Sequence, residues 1–145
     1  MKAVLEWLAT FSAAFFTAWA LYVSLIEHPA RMEAGAAAAL AQFRPSYRRA
    51  APWQASLAGL CLLSGLFVSL LTSQWSWLVG GLCVGAAIPF TLLVIMPINR
   101  RLLATNPPLD TEEVVILLSR WGRLHWVRTI LGVSGLTILL FSAKR

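Results

Sequence analysis

Charge is what this sequence has least of. Only 12% of its 145 residues are Asp, Glu, Lys or Arg, against 59% hydrophobic ones, and its mean hydropathy is +0.72. One soluble domain of this size cannot hide so much apolar surface from water, so the composition specifies an integral membrane protein. Cysteine is nearly as scarce. Cys61 and Cys83 lie inside apolar runs without C-x-x-C spacing, which suggests neither a disulfide framework nor a thiol-redox site and points to core packing. Acidic residues are outnumbered six to twelve, giving a net charge of +6 and a pI near 10.4. The excess flanks apolar runs, so it sets topology and does not mark a nucleic-acid surface. No charged residue sits in the middle of an apolar run, which argues against a proton-coupled transporter, since coupling needs a midplane ionisable group.

Long hydrophobic runs are what the chain does have. Four of them, residues 4–28, 53–73, 76–98 and 124–142, reach the roughly 20 residues needed to cross a hydrocarbon core about 30 Å thick. The first is too long and ends too late for a cleaved signal peptide and is expected to stay in the mature protein. Between the first two runs, Glu33 to Phe43 favours a short helix that Arg44-Pro45 is expected to stop. Thr72-Ser-Gln-Trp-Ser-Trp77 reads as an uncharged turn whose tryptophans suit the headgroup layer, making spans two and three an antiparallel hairpin. Asn106-Pro-Pro-Leu-Asp110 breaks the chain, and Asp110 with Glu113 resembles a capping box. Val114, Leu117, Leu118, Trp121 and Leu124 then give an apolar face that could run along the interface before bending near Gly122 into span four. The expected fold is all-α: one transmembrane domain over 1–145, an integral membrane four-helix bundle with short amphipathic connecting helices.

Arginine placement sets the expected orientation. Arg31, Arg44, Arg48, Arg49, Arg100, Arg101, Arg120 and Arg123 fall in the connectors after spans one and three, whereas the opposite side has only Lys2, Lys144 and Arg145. The positive-inside rule then makes both long connectors cytoplasmic and both termini extracytoplasmic, in a bacterial inner membrane. An arginine that serves a site would inflate this count.

Helical spacing indicates which faces point inward. Thr10, Ala14, Thr17, Leu21, Ser24, His28 and Arg31 form one stripe, and Gln54, Ala58, Cys61, Gly65, Ser69 and Thr72 a second. Span three offers Gly81, Gly85, Pro89, Leu92, Met96 and Asn99, and span four Trp121, His125, Arg128, Gly132, Gly135 and Leu139. Stripes of small residues are the expected helix contacts in lipid, where hydrophobicity does not drive helices together. Because span direction alternates, Glu27, His28, Arg31, Gln54, Asn99, Arg100, His125 and Arg128 should meet at one mouth of the bundle. Two readings stand side by side: a ring of salt-bridged, snorkelling residues that anchors helix ends, or a polar site capping an apolar cavity.

Three segments carry a family resemblance: Glu27-His-Pro-Ala-Arg31, Pro89-Phe-Thr-Leu-Leu-Val-Ile-Met-Pro-Ile-Asn-Arg-Arg-Leu-Leu103 and Arg120-Trp-Gly-Arg-Leu-His-Trp-Val-Arg128. In this order they resemble the anthrone oxygenase-like family of small membrane proteins. The resemblance implies oxidation of a fused-ring anthrone to an anthraquinone by molecular oxygen, as in fungal polyketide pathways, while many bacterial relatives have no assigned substrate. It points at His28, Asn99, Trp121, His125 and Arg128 without assigning the chemistry among them.

That chemistry can be asked of the residues directly. Oxidising an acidic benzylic C–H without a cofactor needs a base, positive charge or donors for the enolate, and an apolar pocket for substrate and oxygen. His28 or His125 is the candidate base, with Arg128 and Asn99 stabilising negative charge. Glu27, Trp121, Arg31 and Gln54 are the candidate binding and orienting groups. A second mechanism gathers Glu27, His28 and His125 as a two-histidine, one-carboxylate non-haem iron site, although adjacent helical side chains point about 100° apart. Axial ligation of haem by the two histidines is a further alternative, with no other haem motif present. The remaining class is a non-enzymatic protein that binds a lipophilic molecule, forms a homo-oligomer or joins a larger membrane complex. An enclosed apolar cavity beside the histidines would favour the enzyme, and a mouth filled by side chains the structural subunit.

Overall fold

The computed structural model describes residues 1–106 and 108–144. Pro107, in the expected chain break, and Arg145, in the arginine tally, lie outside the described residues. Four long helices account for nearly all the rest: α1 Lys2–Glu33, α2 Ala36–Thr72, α3 Trp75–Leu103 and α4 Thr111–Ser142, with no strand among the described residues. Each is long and apolar enough to cross a membrane. They pack in a ring in chain order, α4 closing against α1. The protein is an all-α, membrane-integral four-helix bundle.

The stop expected at Arg44-Pro45 does not occur. Only Ala34 and Gly35 separate α1 from α2, and α2 then runs 37 residues straight through Pro45 and Pro52. Gly35 makes the reversal possible with φ of +85°, a backbone region that side-chain-bearing residues rarely enter. A proline inside a helix deletes one hydrogen bond and crowds the carbonyl four residues back, at about 3 kcal/mol. Tertiary contacts offset that here. Ala39 and Phe43 are fully buried, and Arg44 donates from Nε to the Leu102 carbonyl (3.0 Å) and from Nη2 to the Ala104 carbonyl (2.6 Å), capping α3. The amphipathic connectors are therefore helical, but fused to the spans that follow them. At 1.5 Å per residue α2 is about 55 Å long against a hydrocarbon core of about 30 Å, so the bundle overhangs the membrane.

At the other connector Asp110 caps α4, its Oδ1 accepting from the Glu113 backbone N–H at 2.7 Å. The expected bend at Gly122 is absent, and α4 is unbroken from Thr111 to Ser142. Val114, Leu118 and Trp121 keep its first turns packed on the bundle, so nothing releases them to the interface.

The two ends of the bundle are built differently. Near the α2–α3 turn the helices close on small residues: a Cβ on Gly65 would lie 2.6 Å from the Trp77 carbonyl oxygen, and one on Gly135 would lie 2.6 Å from Val84 Cγ2. Backbones this close supply the van der Waals contact that lipid-embedded helices depend on. At the opposite end polar side chains tie the helices together, and two π turns, Val23–Glu27 in α1 and Thr91–Ile95 in α3, re-aim the chain. Each ends one residue short of an X-Pro step, His28-Pro29 or Met96-Pro97, where proline cannot donate to the regular ladder. The buried row of α3 departs from the expected line in its middle. Pro89 and Leu92 face outward, whereas Ile95, Ile98, Asn99 and Leu102 are buried.

Candidate functional site

The second π turn brings Asn99 fully inside, at 0% exposure, between α4 and α2. Trp121 Nε1–H can only donate, and it donates to Asn99 Oδ1 at 2.9 Å. That leaves Asn99 Nδ2 to donate to Tyr47 Oη, also at 2.9 Å. Tyr47 accepts this bond and keeps its own proton for another acceptor. The amide of Asn99 thus holds Trp121 and Tyr47 in place, a bracing role that uses one of its two N–H donors.

His125 is 2% exposed and its orientation is set by a second chain of bonds. Its Nδ1 lies 2.9 Å from Ser24 Oγ, which lies 2.8 Å from Thr129 Oγ1, which in turn reaches the Ala20 carbonyl at 3.2 Å. Only one proton order satisfies all three contacts: Nδ1–H donates to Ser24, Ser24 to Thr129, and Thr129 to the carbonyl. This network assigns the proton to Nδ1. Nε2, which has no hydrogen-bond partner among the described residues, carries the free lone pair.

Beside it Arg128, 8% exposed, donates from Nη2 to Gln54 Oε1 at 2.5 Å, and its Cζ stands 5.6 Å from the Phe16 ring centroid. Its Nε is buried without a hydrogen-bond partner, and no carboxylate lies within ion-pair distance of it among the described residues. A buried guanidinium without a counter-ion is costly.

Glu27 does not supply that charge. Its Oε1 accepts from Arg31 Nη2 (2.6 Å), Gln42 Nε2 (2.8 Å) and Ser46 Oγ (2.6 Å). Arg31 also donates to Gln42 Oε1 and sits over Phe43 and Trp121, with Cζ 5.3 and 5.8 Å from their centroids. This cluster is neutral and joins α1 to α2.

Together these groups line a cavity of about 30 Å³ bounded by Glu27, Arg31, Tyr47, Gln54, Trp121, His125 and Arg128 among others. It has room for a water-sized molecule and not for a fused-ring substrate, so the substrate-sized pocket expected here is not present as such. A second, apolar recess of about 130 Å³ adjoins it, sharing Tyr47, Ala51, Gln54 and Arg128 as a common wall.

Of the residues expected at the site, Glu27, Arg31, Gln54, Trp121, His125 and Arg128 line the cavity, and Asn99 braces it from behind. His28 does not. Its ring lies against Gly122 and 5.4 Å from the Trp121 centroid, while His125 stacks on Trp121 at 4.8 Å. The iron set is likewise not assembled: no three His, Cys, Asp or Glu side chains come together among the described residues. Glu27 and His28 are neighbours that diverge around the helix, and the carboxylate is already engaged by three donors.

Tyr47, Ser24, Thr129, Gln42 and Ser46 were not foreseen as site residues. Tyr47 lies seven residues before Gln54, two turns along one face, a signal visible only if α2 continues through Pro52.

Residues 43–138 match the family model for anthrone oxygenase, which covers α3, most of α4 and α2 from Phe43 onward but not α1. No curated protein and no solved structure matches the chain. With most of its length matched, the chain belongs to the anthrone oxygenase family.

Proposed function

We propose that the protein oxidises a lipophilic, enolisable aromatic, anthrone-like in its chemistry, with molecular oxygen. The carrying observation is Arg128, buried without a counter-ion among the described residues, beside the His125 Nε2 that none of them engages and against an apolar recess. His125 Nε2 removes a proton from the activated CH₂. Arg128 and the Tyr47 hydroxyl hold the resulting enolate oxygen. The enolate passes one electron to dioxygen, and carbon radical and superoxide combine to form the C–O bond. Protonation by the imidazolium gives a hydroperoxide, which loses water to leave the ketone, so that CH₂ and O₂ become C=O and H₂O.

The arginine-rich end is the cytoplasmic one in this reading, with both termini extracytoplasmic in a bacterial inner membrane and residues 1–145 acting as one transmembrane domain. The narrow cavity favours one rival, a non-enzymatic protein that holds a lipophilic ligand alone, as a homo-oligomer or in a larger complex.

The two separate on turnover. Protein in lipid nanodiscs should consume oxygen and form anthraquinone from anthrone above the uncatalysed rate. His125→Ala should lose about 10²–10⁴ of that rate, and Arg128→Lys, which keeps charge but loses the planar fork, should be intermediate. A folded His125→Ala protein with full activity overturns the mechanism.

A further inference from the structure

We infer that the apolar recess is a lateral binding site for a single-ring phenol or enol carrying an alkyl tail, taken directly from the bilayer between α2 and α3. This rests on the reading of Arg128 as the group that holds the substrate oxygen.

Size is the first argument. At about 130 Å³ the recess is close to the cavity of about 150 Å³ that accepts one benzene ring, so it seats one ring and leaves the remainder of a ligand at its rim. Shape is the second. Ala51, Ala55 and Ala58 leave α2 without bulk along one wall, and the π turn of α3 sets Thr91, Leu92 and Met96 opposite. Leu92 is 57% exposed on the outer surface of a membrane-embedded helix, so the rim of the recess meets lipid. A tail leaving the ring there would lie among acyl chains. Chemistry is the third. The inner end of an otherwise apolar recess carries Arg128 and Tyr47, one unpaired cation and one free hydroxyl proton, the pair that a phenolate or enolate oxygen completes. A neutral hydrocarbon would leave that cation unmatched.

The test is binding, not turnover. 4-Nonylphenol and nonylbenzene, which differ only in the hydroxyl, are added to protein in nanodiscs and the thermal midpoint is followed as linkage to a native-state ligand. The phenol should raise it saturably and the hydrocarbon should not. Ala55→Trp fills the recess from an exposed position and should weaken the phenol effect at least tenfold while the protein elutes as a folded species. Arg128→Met should do the same. Equal stabilisation by nonylbenzene would show a gap for acyl chains and overturn the proposal, as would an unaltered response in Ala55→Trp. Binding and oxidation of anthrone with no response to 4-nonylphenol would remove this inference and leave the oxygenase reading standing.

Discussion

The imidazole of His28 occupies the space that a side chain on Gly122 would need. A Cβ built there would lie 2.5 Å from His28 Cδ2 and closer still to Nε2, across the contact between α1 and α4. His28 is thus a packing partner of a glycine, held against Trp121, while its sequence neighbour Glu27 faces the cavity.

Gly122→Ala should accordingly destabilise the bundle by about 1–3 kcal/mol, the range for overpacking a filled contact. The double variant with His28→Ala should recover much of that loss, because removing the imidazole vacates the space that the new methyl invades. Denaturant unfolding in detergent measures both, and strictly additive losses would show that the two residues do not meet.

Glu27→Ala should be worse than Arg31→Ala, Gln42→Ala or Ser46→Ala taken singly. It strands three donors at once and leaves Arg31, 5% exposed with Nη1 already unpartnered, as a buried lone charge. Removing one partner of a buried pair typically costs about 3–5 kcal/mol. The Glu27→Ala, Arg31→Met double variant should regain stability, as read by the midpoint of unfolding.

The parts legible in the sequence were those with unbroken periodicity. Gln54, Ala58, Cys61, Gly65 and Ser69 on α2, and Trp121, His125, Arg128, Gly132, Gly135 and Leu139 on α4, are all buried as their spacing requires. The stripe on α3 went astray at Pro89, before the π turn, because two successive four-residue steps from Gly81 drift about 80° around a helix of 3.6 residues per turn; the row is buried again at Asn99. Tyr47 was hidden for a different reason: Pro45 reads locally as a helix stop, and only contacts from Arg44 and Phe43 to distant residues override it. His28 and His125 looked equivalent by topology, yet a rotation of about 100° between positions 27 and 28 separates their roles.

Orientation is testable without reference to activity. Of the eight arginines in the connectors, Arg31, Arg44 and Arg101 are engaged by Glu27, α3 carbonyls and Glu113. Arg48, Arg49, Arg100, Arg120 and Arg123 still outweigh Lys2 and Lys144 at the other end, so reporters at either terminus should be extracytoplasmic and one inserted between Leu103 and Thr111 cytoplasmic. A cytoplasmic C-terminus would reverse the assignment.

Ser24 gives the sharpest test of the proton order at His125. If Nδ1–H donates to Ser24, the hydroxyl holds the imidazole in the tautomer whose Nε2 lone pair faces the cavity, acting as a positioning residue that need not touch substrate. Ser24→Ala removes the acceptor for Nδ1–H and frees the ring to change tautomer and to turn. The expected result is a drop in kcat of roughly tenfold or more with KM nearly unchanged, since ring placement matters to proton transfer and not to filling the recess. Ser24→Thr keeps the hydroxyl and should restore most of the rate. In the nitrogen NMR spectrum of labelled histidine, the wild-type His125 signals should report the Nδ1–H form, and Ser24→Ala should shift them toward a mixture. A purely structural hydroxyl would lower stability and leave both the tautomer signal and the kcat-to-KM balance where they were.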